Sequence, residues 1–226
     1  MSETRSDIFV IVPCFNEHPH VRRTLIALLK TPYQIVLIDD GSSPPIYPLV
    51  QDLKFHYLRH EENQGQGASL KTGMNYALNK GANLLVHFDA DGQHQVTDIE
   101  LLIAPILQGK TEVTLGSRFL NPHHIQAIPR SRRNLLRMAR IFNGLFTGMW
   151  LSDAHNGMRA FSRRAAKEIE ITKCRMAHAT EILGCIKQKG FRYEEVPTHI
   201  LYPTYARNKG QRAWNSVHIL FDLLVR

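Results

Sequence analysis

Three continuous apolar runs constrain this chain more than anything else in it: Ile8-Phe-Val-Ile-Val12, Ile35-Val-Leu-Ile38 and Leu84-Leu-Val-His-Phe88. They are rich in β-branched residues and do not alternate with polar ones, the pattern of strands covered on both faces. Weaker runs at Phe55–Leu58 and Val113–Leu115 read as further strands. Between them lie amphipathic stretches expected to be helices, at about His20–Leu29, Ala68–Lys80 and Val96–Leu107. Strand alternating with helix means an α/β fold with a mostly parallel sheet and helices on both faces. Pro13 is expected to end the first strand.

In such sheets ligands bind at the carboxyl ends of the strands. Those ends deliver Asn16 and Glu17, then Asp39 and Asp40, then Asp89 and Asp91, with Arg118 following the fifth strand. Taken alone, Asp89-Ala-Asp91 also suits a loop capping the next helix. Acids at three successive strand ends point instead to a cation-held anion, and hard carboxylate oxygens suit Mg2+ or Mn2+.

Rival chemistries are poorly supported. Gly65-Gln-Gly67 would need glycine at position 70 and a place after the first strand to be a dinucleotide fingerprint; the chain has Leu70. It does open a helix whose first N–H groups suit a phosphate or sugar. The chain has no P-loop, and none of its 12 histidines forms a His-Glu-x-x-His zinc motif. His155 stands out only for lying in the polar turn 153–159.

The second half reads as helix over Arg130–Met149, the turn 153–159, Ala160-Phe-Ser and a helix through Glu170. A helix over Ala179–Lys189, a strand over Tyr193–Ile200 broken by Pro197 and a last helix over Ala213–Val225 complete it. From Val113 to Ser152 there is no Asp or Glu, while Arg118, Arg130, Arg132, Arg133, Arg137 and Arg140 all fall inside, within a chain of net charge +8. This suits an anionic partner. The aromatic residues form no platform pattern, so nucleic acid is not the expected one. With 226 residues a single domain is expected, and no apolar run is long enough to span a bilayer. Cys14, Cys174 and Cys185 lack metal-ligand spacing, and the chain reaches a strand by Ile8; reduced thiols, no cleavable signal and a cytoplasmic location are expected.

A transferase using a nucleotide diphosphate substrate needs an acid for the base, a carboxylate-held cation for the diphosphate and an acceptor placed in line. Asp40 fits the first role and Asp89 with Asp91 the second.

Six ordered segments carry a resemblance. Val10-Ile-Val-Pro-Cys-Phe-Asn-Glu17, Val36-Leu-Ile-Asp-Asp-Gly-Ser42, Asn63-Gln-Gly-Gln-Gly-Ala68, Asp89-Ala-Asp-Gly-Gln-His94, Gly116-Ser-Arg118 and Asp153-Ala-His-Asn-Gly-Met-Arg159 resemble the inverting GT-A glycosyltransferases of family 2. Within it the chain is most similar to the dolichyl-phosphate mannose synthase-like branch, from about Ile8 to Gln211. The resemblance implies a single GT-A domain over 1–226, with 6–118 binding the nucleotide sugar and 119–226 the acceptor. It implies that Pro13, Phe15 and Glu17 line the nucleoside pocket, that Asp40 hydrogen-bonds the base and that Ala90 lies near the ribose. Asp89, Asp91 and Gln93 would hold or flank the metal. Arg118 and Arg159 would sit near donor or acceptor phosphates, and Arg207 and Arg212 near the acceptor phosphate. The chain departs from the branch pattern with Arg-Asn-Lys-Gly-Gln-Arg over 207–212 and with His155-Asn-Gly157.

A sugar hydroxyl acceptor needs a base within reach, for which Asp153 and Glu181 compete; a lipid phosphate is already ionised and needs only positioning. The acid-free arginine segment favours a polyprenyl phosphate acceptor, with transfer to a saccharide hydroxyl of a surface polysaccharide or lipopolysaccharide as the alternative. The same arginines with Phe142, Leu145, Phe146, Met149 and Trp150 suit a peripheral seat on an anionic bilayer or a membrane-protein partner; equally, the apolar positions suit a core and the arginines a solvated face.

Overall fold

The structure, a computed structural model, describes residues 7–121, 125, 130–154, 156–172 and 177–201. The expected last helix, Cys174, His155, Arg207 and Arg212 lie outside them.

Among the described residues the strands are β1 (Ile8–Cys14), β2 (Gln34–Asp40), β3 (His56–His60), β4 (Leu84–His87), β5 (Val113–Ser117), β6 (Arg159–Ser162) and β7 (Tyr193–Pro197). The helices are α1 (Val21–Leu28), α2 (Gln66–Asn79), α3 (Asp98–Leu107), α4 (Arg130–Thr147), α5 (Arg163–Glu168) and α6 (His178–Lys189). The strands form one seven-stranded sheet in the order β3-β2-β1-β4-β6-β5-β7. β4 and β5 each pair antiparallel with β6, and every other pairing is parallel.

The unbroken apolar runs are explained by two cores, one on each face. Phe9, Ile11, Val36, Ile38 and Leu85 join Leu70 and Met74 of α2 and Ile182 and Ile186 of α6. Val10, Val12, Ile35, Leu37, Leu84 and Val86, offset by one residue, join Leu25 and Leu28 of α1 and Ile99 and Leu102 of α3. Side chains alternate across a strand, so only a sheet covered twice keeps both sets from water.

Local chemistry sets several boundaries. Ser162 caps α5 by accepting from the Ala165 N–H at 3.2 Å. Helix α6 has Glu181 in its first turn and Lys187 and Lys189 in its last, complementing its dipole, and stops at left-handed Gly190. Helix α2 lies close on the sheet because Gly73 has no side chain: a Cβ there would stand 2.4 Å from Ile11 Cγ2 and 2.6 Å from Ile38 Cδ1. Gly73→Ala should therefore lower the free energy of unfolding by about 2 kcal/mol, the cost of overpacking a filled interior. Urea denaturation would read it.

Pro13 does not end β1, which runs on to Cys14; it pairs with Ile38 of β2 beyond the last β4 pair, Ile11–His87, where β1 has one strand neighbour and a missing N–H costs less. Ala160-Phe-Ser162, read as the lead-in to a helix, and Arg159, read as the end of the turn, together form the antiparallel strand β6. The last strand stops at Pro197, beyond which Ile200 makes a lone bridge to His94. Helix α4 ends at Thr147, and Met149 is buried beyond it, so Met149 belongs to the core and not to a bilayer-facing surface. Cys14 is buried, with its thiol pushed up to about 12 by that burial, and Cys185 is half-buried; both are unpaired thiols.

Candidate active site

The sheet order puts the ends of β2, β1 and β4 side by side. After β1, Phe15 stands 45% exposed and Asn16 adopts a left-handed φ of 55°. Asn16 ties its loop to the next one: its N–H donates to Ser42 Oγ at 2.9 Å, and its Oδ1 accepts from the Ser43 N–H at 3.0 Å. Pro13 is buried in the strand below, and Glu17 is half-buried at the start of α1.

Asp39 and Asp40 organise the loops around them. Asp39 accepts from Ser42 N (2.9 Å), Ile46 N (3.0 Å), Tyr57 Oη (2.8 Å) and Arg59 Nη1 (3.0 Å). Burial opposes its ionisation, but the donors of Ser42, Ile46 and Tyr57 outweigh that and hold its carboxyl below the usual range. Asp40 Oδ1 lies 2.7 Å from His60 Nδ1 and accepts from Gln64 N at 3.0 Å, while Oδ2 accepts from Gly65 N at 2.8 Å. The N–H groups of Gln64 and Gly65, just ahead of α2, are thus taken by Asp40. Gly41 permits this crossing, because a Cβ there would meet the Glu62 backbone at 2.5 Å.

Asp89 and Asp91 follow β4. Asp89 is gripped from both sides: Gln66 Nε2 donates to Oδ1 at 2.9 Å and His94 Nε2 lies 2.9 Å from Oδ2. Burial would raise its pKa, yet the His94 contact and the charges of His94, His178 and His87 hold it low. Asp91 behaves oppositely: burial and then the charge of Asp89 raise its pKa. Its Oδ1 accepts from the Gln93 N–H at 3.0 Å. Ala90, between the two acids, is buried and its carbonyl accepts from Thr24 Oγ1 at 3.2 Å.

Gly157 closes the pocket behind Asp89, since a Cβ at that position would stand 2.4 Å from Asp89 Oδ2. Gly157→Ala should push the carboxylate off its two donors and cut the activity of the site more than tenfold, because small displacements of a positioned group are costly. The check is a rate measurement alongside a melting curve.

Arg159 opens β6, directly beside His87 of β4, and is buried. Its guanidinium donates to the carbonyls of Ala179 (3.2 Å), Ala154 (3.4 Å) and Asn156 (3.4 Å). Burial lowers its pKa to about 10 against the opposing charges of Asp89 and Asp153. It remains a cation at neutral pH, within electrostatic reach of Asp89 and Asp153.

Arg118 and Asp153 meet as a buried bidentate pair: Arg118 Nε and Nη2 donate to Asp153 Oδ2 and Oδ1 at 2.5 and 2.6 Å, and the Arg118 N–H adds a third bond at 3.1 Å. Glu195 of β7 accepts from Ser152 N, Ser152 Oγ and Asp153 N, fixing the turn from its other side. Glu181, the other base candidate, lies in the first turn of α6 and accepts from Thr172 N and Oγ1. The segment after β7 is stitched to the site as well, with Leu201 N donating to Gln93 O at 2.8 Å.

Asp89 and Asp91 with the adjacent Gln93 are therefore brought together at one strand mouth, with Arg159 within electrostatic reach of Asp89. Arg118 and Asp153 form their own buried pair after β5. Gln66, His94, Gly157 and Glu195 were not given roles by sequence; Gln66, His94 and Gly157 lie inside three of the quoted motifs, which was the only signal. Among the described residues no three His, Cys, Asp or Glu side chains converge as a metal cage. Two neighbouring carboxylates, one made protonation-prone by burial and then by the other's charge, still fit a Mg2+-type cation, which takes one or two protein carboxylates and completes its shell with phosphate oxygens.

Comparison with known proteins agrees with this geometry. The family described as Glycosyl transferase family 2 matches residues 9–170. An uncharacterized protein of Methanocaldococcus jannaschii is 32% identical over 98% of this chain and 93% of its own length. The UDP-N-acetylglucosamine–dolichyl-phosphate N-acetylglucosaminyltransferase of Methanococcus voltae is 29% identical over 96% of this chain and 95% of its own. Among solved structures, glucosyl-3-phosphoglycerate synthase from Mycobacterium tuberculosis, in complex with Mn2+, UDP and phosphoglyceric acid, superposes with a TM-score of 0.67 over 96% of this chain and 78% of that one, at 15% identity, a likeness of fold. The strand mouth carrying Asp89 and Asp91 falls inside the matched region, and the sheet is that of the GT-A fold: the chain belongs to glycosyl transferase family 2.

Proposed function

We propose that the chain moves one sugar, with inversion, from a nucleotide diphosphate sugar to a polyprenyl phosphate. The observation that carries the choice of acceptor is the Arg118–Asp153 pair. An attacking hydroxyl must give up a proton, but the carboxylate nearest in role to a base, Asp153, already takes three donors from Arg118. Glu181 is committed to Thr172. A phosphate monoester arrives ionised and needs no base. The name of the M. voltae relative, and that of the polyprenol monophosphomannose synthase of Mycolicibacterium smegmatis (25% identical over 72% of this chain), support the same acceptor class.

In this reading residues 6–118 hold the donor and 119–226 the acceptor. Pro13, Phe15 and Glu17 line the nucleoside pocket, with Ala90 near the ribose. Asp40 hydrogen-bonds the base while holding the Gln64–Gly65 loop, its Oδ2 having a lone pair left beside the Gly65 N–H. Asp91 and Asp89, flanked by Gln93, would hold Mg2+ or Mn2+; Gln66 and His94 keep Asp89 turned to that task. A bound cation would stabilise the negative charge of the departing diphosphate. A phosphate oxygen forms the bond to the anomeric carbon as the bond to the diphosphate oxygen breaks on the opposite face, and no proton is transferred. Arg159, cationic and buried within electrostatic reach of Asp89, sets a positive field for the phosphates; Arg118, neutralised by Asp153, holds the turn beside them, and Arg207 and Arg212 are assigned to the acceptor phosphate.

The test is product analysis with radiolabelled UDP- and GDP-sugars offered polyprenyl phosphate or a saccharide. Label on the lipid phosphate is expected; label on the saccharide alone would overturn the acceptor. Thermal shift with each nucleotide, with and without Mn2+, reads the base and the metal, because only ligands of the folded state raise the melting temperature.

A further inference from the structure

Helix α4 is amphipathic in an unusual sense, because its outward face carries large apolar side chains. Asn143 points inward, where its Nδ2 donates to Thr147 Oγ1 at 3.2 Å and to the Met149 carbonyl at 3.4 Å, and the helix packs against α6. On the other side Met138, Ile141 and Leu145, at i, i+3 and i+7 spacing, are 67%, 55% and 70% exposed. Trp150, 61% exposed, extends this strip: its ring lies over Gly144, where a Cβ would stand 2.7 Å from Trp150 Cε3. Scattered exposed apolar residues mean little, but four on one helix and its exit are a contiguous patch that asks for a cover.

The charge around the patch says what covers it. Arg137 and Arg140 are exposed on the same helix, Arg133 is half-buried, and the chain has no Asp or Glu from Val113 to Ser152. An acid-free, arginine-flanked apolar strip along a helix complements a surface that is negative above and hydrocarbon below, whereas a nucleic acid offers no counterpart to the apolar centre.

We propose that α4 and Trp150 form a docking surface for an anionic lipid bilayer. The helix lies along the interface, with Met138, Ile141, Leu145 and Trp150 entering the acyl boundary and Arg137 and Arg140 meeting the headgroups. The excursion 119–152 leaves from Arg118 and returns at Asp153, the two halves of one buried pair. A bilayer seated on α4 is thereby tethered to the site, with Trp150 only a short step before Asp153. The proposal goes beyond the choice of acceptor: it concerns lipid headgroups and acyl chains, whatever the acceptor is.

The experiment uses vesicles containing no polyprenyl phosphate, so it does not depend on the acceptor assignment. The full chain should sediment with phosphatidylcholine vesicles containing phosphatidylglycerol and at least tenfold less with phosphatidylcholine alone, and high salt should release it. Arg137→Glu with Arg140→Glu should weaken sedimentation at least tenfold, each arginine being worth about fivefold near such a surface. Met138→Ser with Leu145→Ser should weaken it at least tenfold while leaving transfer to a short, water-soluble prenyl phosphate unchanged. In a Trp214→Phe chain, Trp150 emission should shift to the blue on anionic vesicles. Equal sedimentation of wild type and the Met138/Leu145 variant would overturn the proposal, as would unshifted Trp150 emission. A wild-type dimer that this variant makes monomeric would assign the patch to a second copy instead.

Discussion

Asp91→Asn should slow sugar transfer about a thousandfold and leave the protein folded. The range for removing one preorganised electrostatic partner of a developing charge is about 10²–10³, and Asp91 is proposed to act on the full charge of a leaving diphosphate. Asparagine keeps the shape and can still accept from the Gln93 N–H, so the loop has no reason to move. The folded state even loses a repulsion, since burial and the neighbouring Asp89 both disfavour a charge on Asp91. The melting temperature without ligand should therefore hold or rise slightly, while the extra stabilisation that Mn2+ gives in the presence of the nucleotide disappears. Asp89→Asn is the contrasting control. Its carboxylate accepts from Gln66 and lies against His94, so an amide nitrogen there would face a donor and disturb the packing as well. Normal transfer by the Asp91→Asn protein would show that this carboxylate does not serve the leaving group.

The contrast between these two acids also shows what the sequence can and cannot reveal. β1, β2 and β4 are legible because burial on both faces demands continuous apolar runs, and their ends are legible because the runs break sharply into acids. That places Asp39, Asp40, Asp89 and Asp91 along one edge without coordinates. β6 is not legible: Arg159-Ala-Phe-Ser162 is four residues long and becomes a strand only because β4 and β5 flank it. Partnership is harder still. Nothing local says that Gln66 reaches Asp89 across 23 residues, or that Gly157 must lack a side chain for Asp89 to sit where it does. Asp40 carries the same lesson, since its type and strand-end position suit a nucleoside contact, but the returning loop supplies Gln64, Gly65 and His60 as partners. Asp153 reads as a free base in sequence because Arg118 is 35 residues away.

That last pair carries the largest expected effect on stability. Asp153→Ala should lower the free energy of unfolding by about 3–5 kcal/mol, because it leaves the guanidinium of Arg118 charged and desolvated. The side chains are 6% and 1% exposed, so solvent screening does little to soften the loss. For a chain of this size the melting temperature should fall by roughly 10 °C. Removing both partners should cost less than removing one: Arg118→Met with Asp153→Leu takes away the charge together with its counter-charge, and apolar replacements of a buried pair are often near neutral. Urea denaturation of the two single variants and the double gives the coupling directly. A pair that matters only to structure predicts that the double variant recovers stability and keeps donor binding, read by the nucleotide thermal shift. If Asp153 were instead a base for a hydroxyl acceptor, saccharide transfer would be present in the wild type and lost in Asp153→Asn. A fall in stability without any saccharide activity to lose therefore favours an acceptor that arrives already charged, which is what a guanidinium-bound carboxylate at this place can accommodate.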